Sequence, residues 1–144
     1  MAKTLTSNNA SFILTIPGVF NTPFEIKGFA ADDMFSTDPQ KPVEVVMGVD
    51  GKLSGGYVKH QIVQKIKLSP DSPSLVYFDQ WLAAQDTGLD AYVAQGVITM
   101  PGNGAQYILT NGWLTSYKNM PDAKKLLQAQ EMEITWESVQ KGVM

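Results

Sequence analysis

YVKHQIVQKIKLSPDSPSLVYFDQWL, residues 57–82, decides the fold. Its first half alternates. His60, Ile62, Gln64, Ile66 and Leu68 fall on one side, and Lys59, Gln61, Val63, Lys65 and Lys67 on the other. That is the period of a strand with a dry face and a wet face. Ten such residues reach roughly 33 Å. Ser69-Pro70-Asp71-Ser72-Pro73 then halts the strand. Ser72 is a good N-cap, and Pro73 fits the first helical position, where a missing N–H costs nothing. The spacing predicts a helix running to about Asp86, with Gly88 just past its end. Leu75, Tyr77, Phe78, Trp81 and Leu82 share its apolar arc.

Toward the N-terminus, SFILTI (11–16), FEIKGF (24–29) and PVEVVMGV (42–49) read as strands. Residues 1–10 read as a flexible arm, 30–41 as a loop, and Asp50-Gly51 as a hairpin turn with a glycine-rich tip over 52–56. Toward the C-terminus, AYVAQGVITM (91–100), AQYILT (105–110), WLTSYK (113–118) and 128–139 read as strands, with turns at 101–104 and at Asn111-Gly112. Residues 140–144 read as a short tail. The last strand sets Met132, Ile134 and Trp136 against Glu131, Glu133, Thr135 and Glu137. Its acidic face matches the basic face of 59–67, so antiparallel pairing would place Glu opposite Lys. The expectation is one mainly β domain over 1–144, a β-sandwich or barrel of about eight strands with one flanking helix.

All 11 basic residues are lysine, and the net charge is −3. Without arginine forks, base-specific reading of nucleic acid is not expected. There is no cysteine, which excludes disulfides, thiolate metal sites and cysteine nucleophiles. No apolar run is long enough to span a membrane, no signal peptide is visible, and a cytoplasmic site of synthesis is expected. Only 17% of residues are charged, so much of the surface is neutral polar and cheap to desolvate on association.

Catalytic signatures are absent. His60 is the single histidine and sits in a strand, where a satisfied structural role is favoured. Gly51-Lys52-Leu53-Ser54-Gly55-Gly56 has phosphate-loop glycine spacing but is followed by Tyr57-Val58, so the motif fails. Asp32-Asp33 is a weak cation candidate and reads better as a solvated loop. Glu131, Glu133 and Glu137 share a strand face, but no nucleophile accompanies them. Neither enzyme activity nor a cofactor or metal is expected. The features that stand out are long strands, a glycine-tipped hairpin and a low-charge surface, which suit a subunit completed by its neighbours.

The order of segments resembles the tail tube proteins of contractile-tailed bacteriophages, from about Ser11 to the C-terminus. The segments that carry the resemblance are AADDMFSTDPQKPVEVVMGVDGKLSGG (30–56), VKHQIVQKIKLSPDSPSLVYFDQWL (58–82) and WLTSYKNMPDAKKLLQAQEMEITWESV (113–139). It implies a β-sandwich with one helix, completed by oligomerisation into stacked hexameric rings that form a hollow tube for DNA passage. It further implies assembly in a bacterial cytoplasm and residence in the virion. The implied partners are further copies of the chain, a tail sheath, a tape measure and baseplate or terminator proteins. Double-stranded DNA would pass without specific binding, and no membrane is involved. Under this resemblance Glu131, Glu133 and Glu137 are candidates to face the lumen. Asp32, Asp33, Met34, Phe35, Asp50, Gly51, Lys52 and Leu53 are candidates for contacts between subunits. A type VI secretion ring protein shares the same implied fold and is the alternative. A monomeric binding module with a concave pocket is the reading from a different class.

Overall fold

The two alternating stretches fold as neighbours. In the computed structural model, which describes residues 10–30 and 34–143, β6 (Ile62–Leu68) runs antiparallel to β9 (Gln130–Val143). Lys65 stands opposite Glu133 and Lys67 opposite Glu131 on the wet face. Lys67 Nζ lies 3.6 Å from Glu131 Oε1. On the dry face Ile62, Gln64, Ile66 and Leu68 are buried together with Met132, Ile134 and Trp136. A slip by one residue would turn the lysines and glutamates into the core, so burial excludes it.

The other elements are β1 (Ser11–Ile16), β2 (Phe20–Glu25), β3 (Phe35–Thr37), β4 (Val43–Met47), β5 (Leu53–Tyr57), α1 (Leu75–Gly88), β7 (Ala94–Met100) and β8 (Ala105–Tyr117). Seven strands form one antiparallel sheet in the order β2-β1-β7-β8-β9-β6-β3, and β4 and β5 form a separate hairpin. The large sheet rolls up. Phe12 of β1 meets Phe35 of β3, with ring centroids 5.8 Å apart. The segment after β2 ties the ends together. Ile26 N donates to Phe12 O at 2.8 Å, and Ala30 N donates to Lys67 O at 3.0 Å. Such closure leaves fewer exposed edges than an open sheet. One continuous core fills the roll, and α1 adds Leu75, Phe78 and Trp81 to it. The chain is therefore mainly β with one helix, as its periodicity predicts.

Three local expectations are corrected. The helix begins at Leu75, and Ser74, not Ser72, holds the cap position without a side-chain cap bond. Both hydroxyls are engaged elsewhere: Ser72 Oγ donates to Lys27 O, and Ser74 Oγ accepts from Lys27 N at 2.7 Å. Second, β2 covers Phe20–Glu25, ahead of the predicted 24–29 strand, because Pro17-Gly18 makes a tight turn rather than a long connection. Third, Asn111-Gly112 does not end a strand. β8 runs unbroken through Asn111 (φ 51°). The indole of Trp136 occupies the space beside Gly112, where a β-carbon would lie 2.5 Å from Cζ3. Long-range packing overrides a local turn signal there.

A register shift between Leu114 and Ser116 turns Tyr117 toward the core side, opposite Met132. Its hydroxyl donates to Asp79 Oδ1 of α1 at 2.6 Å. Burial, followed by the hydrogen bond and charge of Asp79, pushes the phenol well above the usual tyrosine range. The folded pKa thus exceeds the unfolded one, near 10. This contribution to stability is intact below that pH and is lost as pH rises above it. Tyr117→Phe should remove that alkaline dependence and cost ~1 kcal/mol at neutral pH. Urea titrations at neutral pH and above pH ~10 check both statements.

Candidate assembly surfaces

Among the described residues the β4–β5 hairpin is exposed along its whole length. Every one of its ten paired residues is exposed. Gly48 N donates to Lys52 O at 2.8 Å and Gly51 N to Gly48 O at 3.0 Å. Gly51 takes φ 83°, which glycine adopts without a Cβ clash. Residues directly opposite share a face, so Val43 with Tyr57, Val45 with Gly55 and Met47 with Leu53 form one apolar side. Val45 is 57% exposed and Met47 62%. The base is held by Val58 N donating to Pro42 O at 2.9 Å and by His60 Nε2 lying 3.5 Å from Glu44 Oε1. His60 is thus outside any strand, in the joint between β5 and β6. The strand expected over 59–68 therefore begins only at Ile62, after a break between β5 and β6.

The candidate lumen residues Glu131, Glu133 and Glu137 do share the outer side of β9, and lysines accompany them. Lys67 is beside Glu131, Lys65 opposite Glu133, and Lys59 Nζ lies 4.0 Å from Glu137 Oε1. All are solvent-facing pairs, each contributing well under ~1 kcal/mol. The surface is thus locally neutralised rather than bare acid. Of the candidate subunit-contact residues, Asp50, Gly51, Lys52 and Leu53 lie at the exposed hairpin tip. Asp32 and Asp33 lie outside the described residues. Met34 lends its carbonyl to Lys67 N at 3.0 Å. Phe35 is half-buried, its ring 5.9 Å from Phe29 as well as touching Phe12, so it serves the chain's own core.

Trp113 departs from the other two tryptophans: Trp81 and Trp136 are buried, whereas Trp113 is 46% exposed. It borders an open groove of ≈ 700 Å³ shared with Pro17, Tyr92, Gln95, Asn111 and Glu137. The polar groups there bond to one another. Gln95 Nε2 donates to Asn111 Oδ1 at 2.8 Å, and Asn111 Nδ2 donates to Glu137. Little hydrogen-bonding capacity remains for a polar ligand. Among the described residues no cluster of three His, Cys, Asp or Glu side chains could hold a metal ion. No helix of the described residues is long and apolar enough to cross a membrane.

A second surface escapes a reading along the chain. The outer side of β1, β7 and β8 carries Ser11, Ile13 and Thr15 beside Thr99, Val97 and Gln95, then Gln106 and Ile108. None of these eight residues is ionisable. In the sequence they are scattered over three strands. Only the register brings them together.

The family model described as tail fiber protein gp32 matches residues 3–140. No curated protein matches by sequence. Among solved structures, the chain is similar to a chain of the anti-feeding prophage baseplate, 6-fold symmetrised. The TM-score is 0.60 at 15% identity, covering 99% of this chain and 98% of that one. It is also similar to a chain of the anti-feeding prophage tube-terminating cap, with TM-score 0.55 at 13% identity, covering 100% and 95%. At such identities the likeness is one of fold.

Proposed function

Because this chain belongs to the tail fiber protein gp32 family and is a tail-type structural protein, we propose that its copies associate into hexameric rings that stack as a hollow tail tube. The observation that carries this reading is the β4–β5 hairpin. Its apolar side, with Val43, Val45, Met47, Leu53 and Tyr57 all more than half exposed, is left uncovered by its own protomer. An apolar sheet face left in water favours association. Further copies of the chain supply the cover. The six-fold setting of the baseplate chain with the same fold supports a hexameric ring. In this reading a sheath surrounds the tube, baseplate and terminator proteins close its ends, and a tape measure and then double-stranded DNA occupy the channel.

The lysine–glutamate ladder of β6 and β9 is the lumen candidate. DNA must travel through such a channel without sticking. Lysines matched by glutamates on the same face attract phosphate far less than free ones, and the net charge of −3 acts in the same direction. Negative-stain electron microscopy of the purified protein over a range of concentration and salt is the test. Rings about six copies round, or tubes with an open centre, are expected. A protein that stays monomeric under all those conditions counts decisively against the proposal.

A further inference from the structure

We infer that the apolar side of the β4–β5 hairpin docks on the uncharged outer face of β1, β7 and β8 of a second copy of the chain. This rests on the ring-forming reading above and names the surface that receives the hairpin. At the centre of the receiving face a row of branched aliphatic side chains runs across three strands, Ile13 opposite Val97 and Val97 opposite Ile108. Ile13 is 36% exposed and Ile108 48%. Ser11, Thr99 and Gln106 form the row on one side, and Thr15 and Gln95 the row on the other. Glu25 opposite Ile13 and Gln140 opposite Ile108 mark the two borders.

Two sheet faces pack with backbones ~10 Å apart and strands roughly aligned. Here both faces are aliphatic at the centre and free of charge, so contact strips water from apolar atoms without stranding an ion. The other half of the outer sheet is a poor receiver. Covering β6 and β9 would desolvate Lys65, Lys67, Glu131 and Glu133. Knob and receiver lie on different parts of one protomer. The contact can therefore repeat head-to-tail, the type that propagates into rings or filaments. A two-stranded hairpin of five residues per strand covers only about 17 Å by 10 Å. That is far below the ~800 Å² per partner of a stable pair, so a single contact is weak and holds only within a larger assembly.

The absence of cysteine makes the contact easy to map. Val45→Cys protein is mixed with Ile108→Cys protein under assembly conditions. A bis-maleimide whose reach matches the ~10 Å between packed sheets is then added. A covalent mixed dimer is expected, at least ten-fold more abundant than in a parallel mixture of Val45→Cys with Lys65→Cys. Equal yields in the two mixtures, or particles by microscopy with no Val45–Ile108 product, overturn this inference alone. A wild-type protein that forms no particles overturns it together with the ring reading. In a second arm, Ile108→Lys should raise the protein concentration needed for assembly at least ten-fold while leaving the melting temperature within the wild-type range. An unchanged threshold overturns the inference.

Discussion

Gly112→Ala is expected to lower the melting temperature by roughly 6–12 °C, although it adds a single methyl group. The new carbon would lie 2.5 Å from Cζ3, 2.6 Å from Cε3 and 2.8 Å from Cη2 of Trp136. The ring cannot step aside. It is fully buried, and its Nε1 donates to Gln64 Oε1 at 2.9 Å. Gly96 borders the same part of the ring, since a β-carbon there would be 3.1 Å from Cη2. Overpacking a site this closed costs ~3 kcal/mol. A chain of this size converts that to a few degrees per kcal/mol. The cause is checked by a double-mutant cycle. In a Trp136→Leu background, itself ~3 kcal/mol less stable, Gly112→Ala should cost little, giving a coupling above ~1 kcal/mol. Calorimetry of the four proteins decides, and additive losses would contradict the packing account.

The second large effect concerns assembly and leaves the fold alone. Val45→Asp combined with Met47→Asp should abolish rings and tubes at concentrations where the wild type forms them. Both side chains are already mostly in water, so the thermal unfolding of the protomer should move by no more than ~0.5 kcal/mol per site. Burying two carboxylates against the aliphatic face of a neighbour, by contrast, would cost several kcal/mol for each contact. Sedimentation velocity reads the assembly and calorimetry the fold. Normal tubes from the double variant would remove the hairpin from the interface.

Much of the fold is legible along the chain. The period-two runs at 62–68 and 130–137 and their opposite charges point to the β6–β9 pair, and the register confirms it residue by residue. The helix is legible because a stop, a proline and an apolar arc coincide. Errors arise where a local signal competes with a distant contact. Asn111-Gly112 has the chemistry of a turn, yet the indole of Trp136 uses the missing side chain and the strand continues. Residues 52–56 read as a mobile tip because they hold Ser54, Gly55 and Gly56, yet Leu53, Ser54, Gly55 and Gly56 all pair with β4. The exposed tip at 50–53 and the shared face of Glu131, Glu133 and Glu137 can be read from spacing alone. The uncovered hairpin side and the uncharged block cannot. They depend on which strands become neighbours and on what fails to pack against them.

The buried indole of Trp136 has a consequence for how the chain avoids mis-threading. A two-residue slip of β9 against β6 keeps every side chain on its proper side and still sets a lysine against a glutamate. Neither hydrophobic alternation nor charge rejects such a shift. Sliding β9 by two along β8 carries Trp136 off the bare backbone at Gly112 and onto Thr110 or Leu114, which carry side chains where Gly112 has none. One aromatic residue therefore acts as an index pin for the middle of the sheet. Gln64 completes the lock while its own Nε2 has no hydrogen-bond partner, at a cost of about 1–3 kcal/mol.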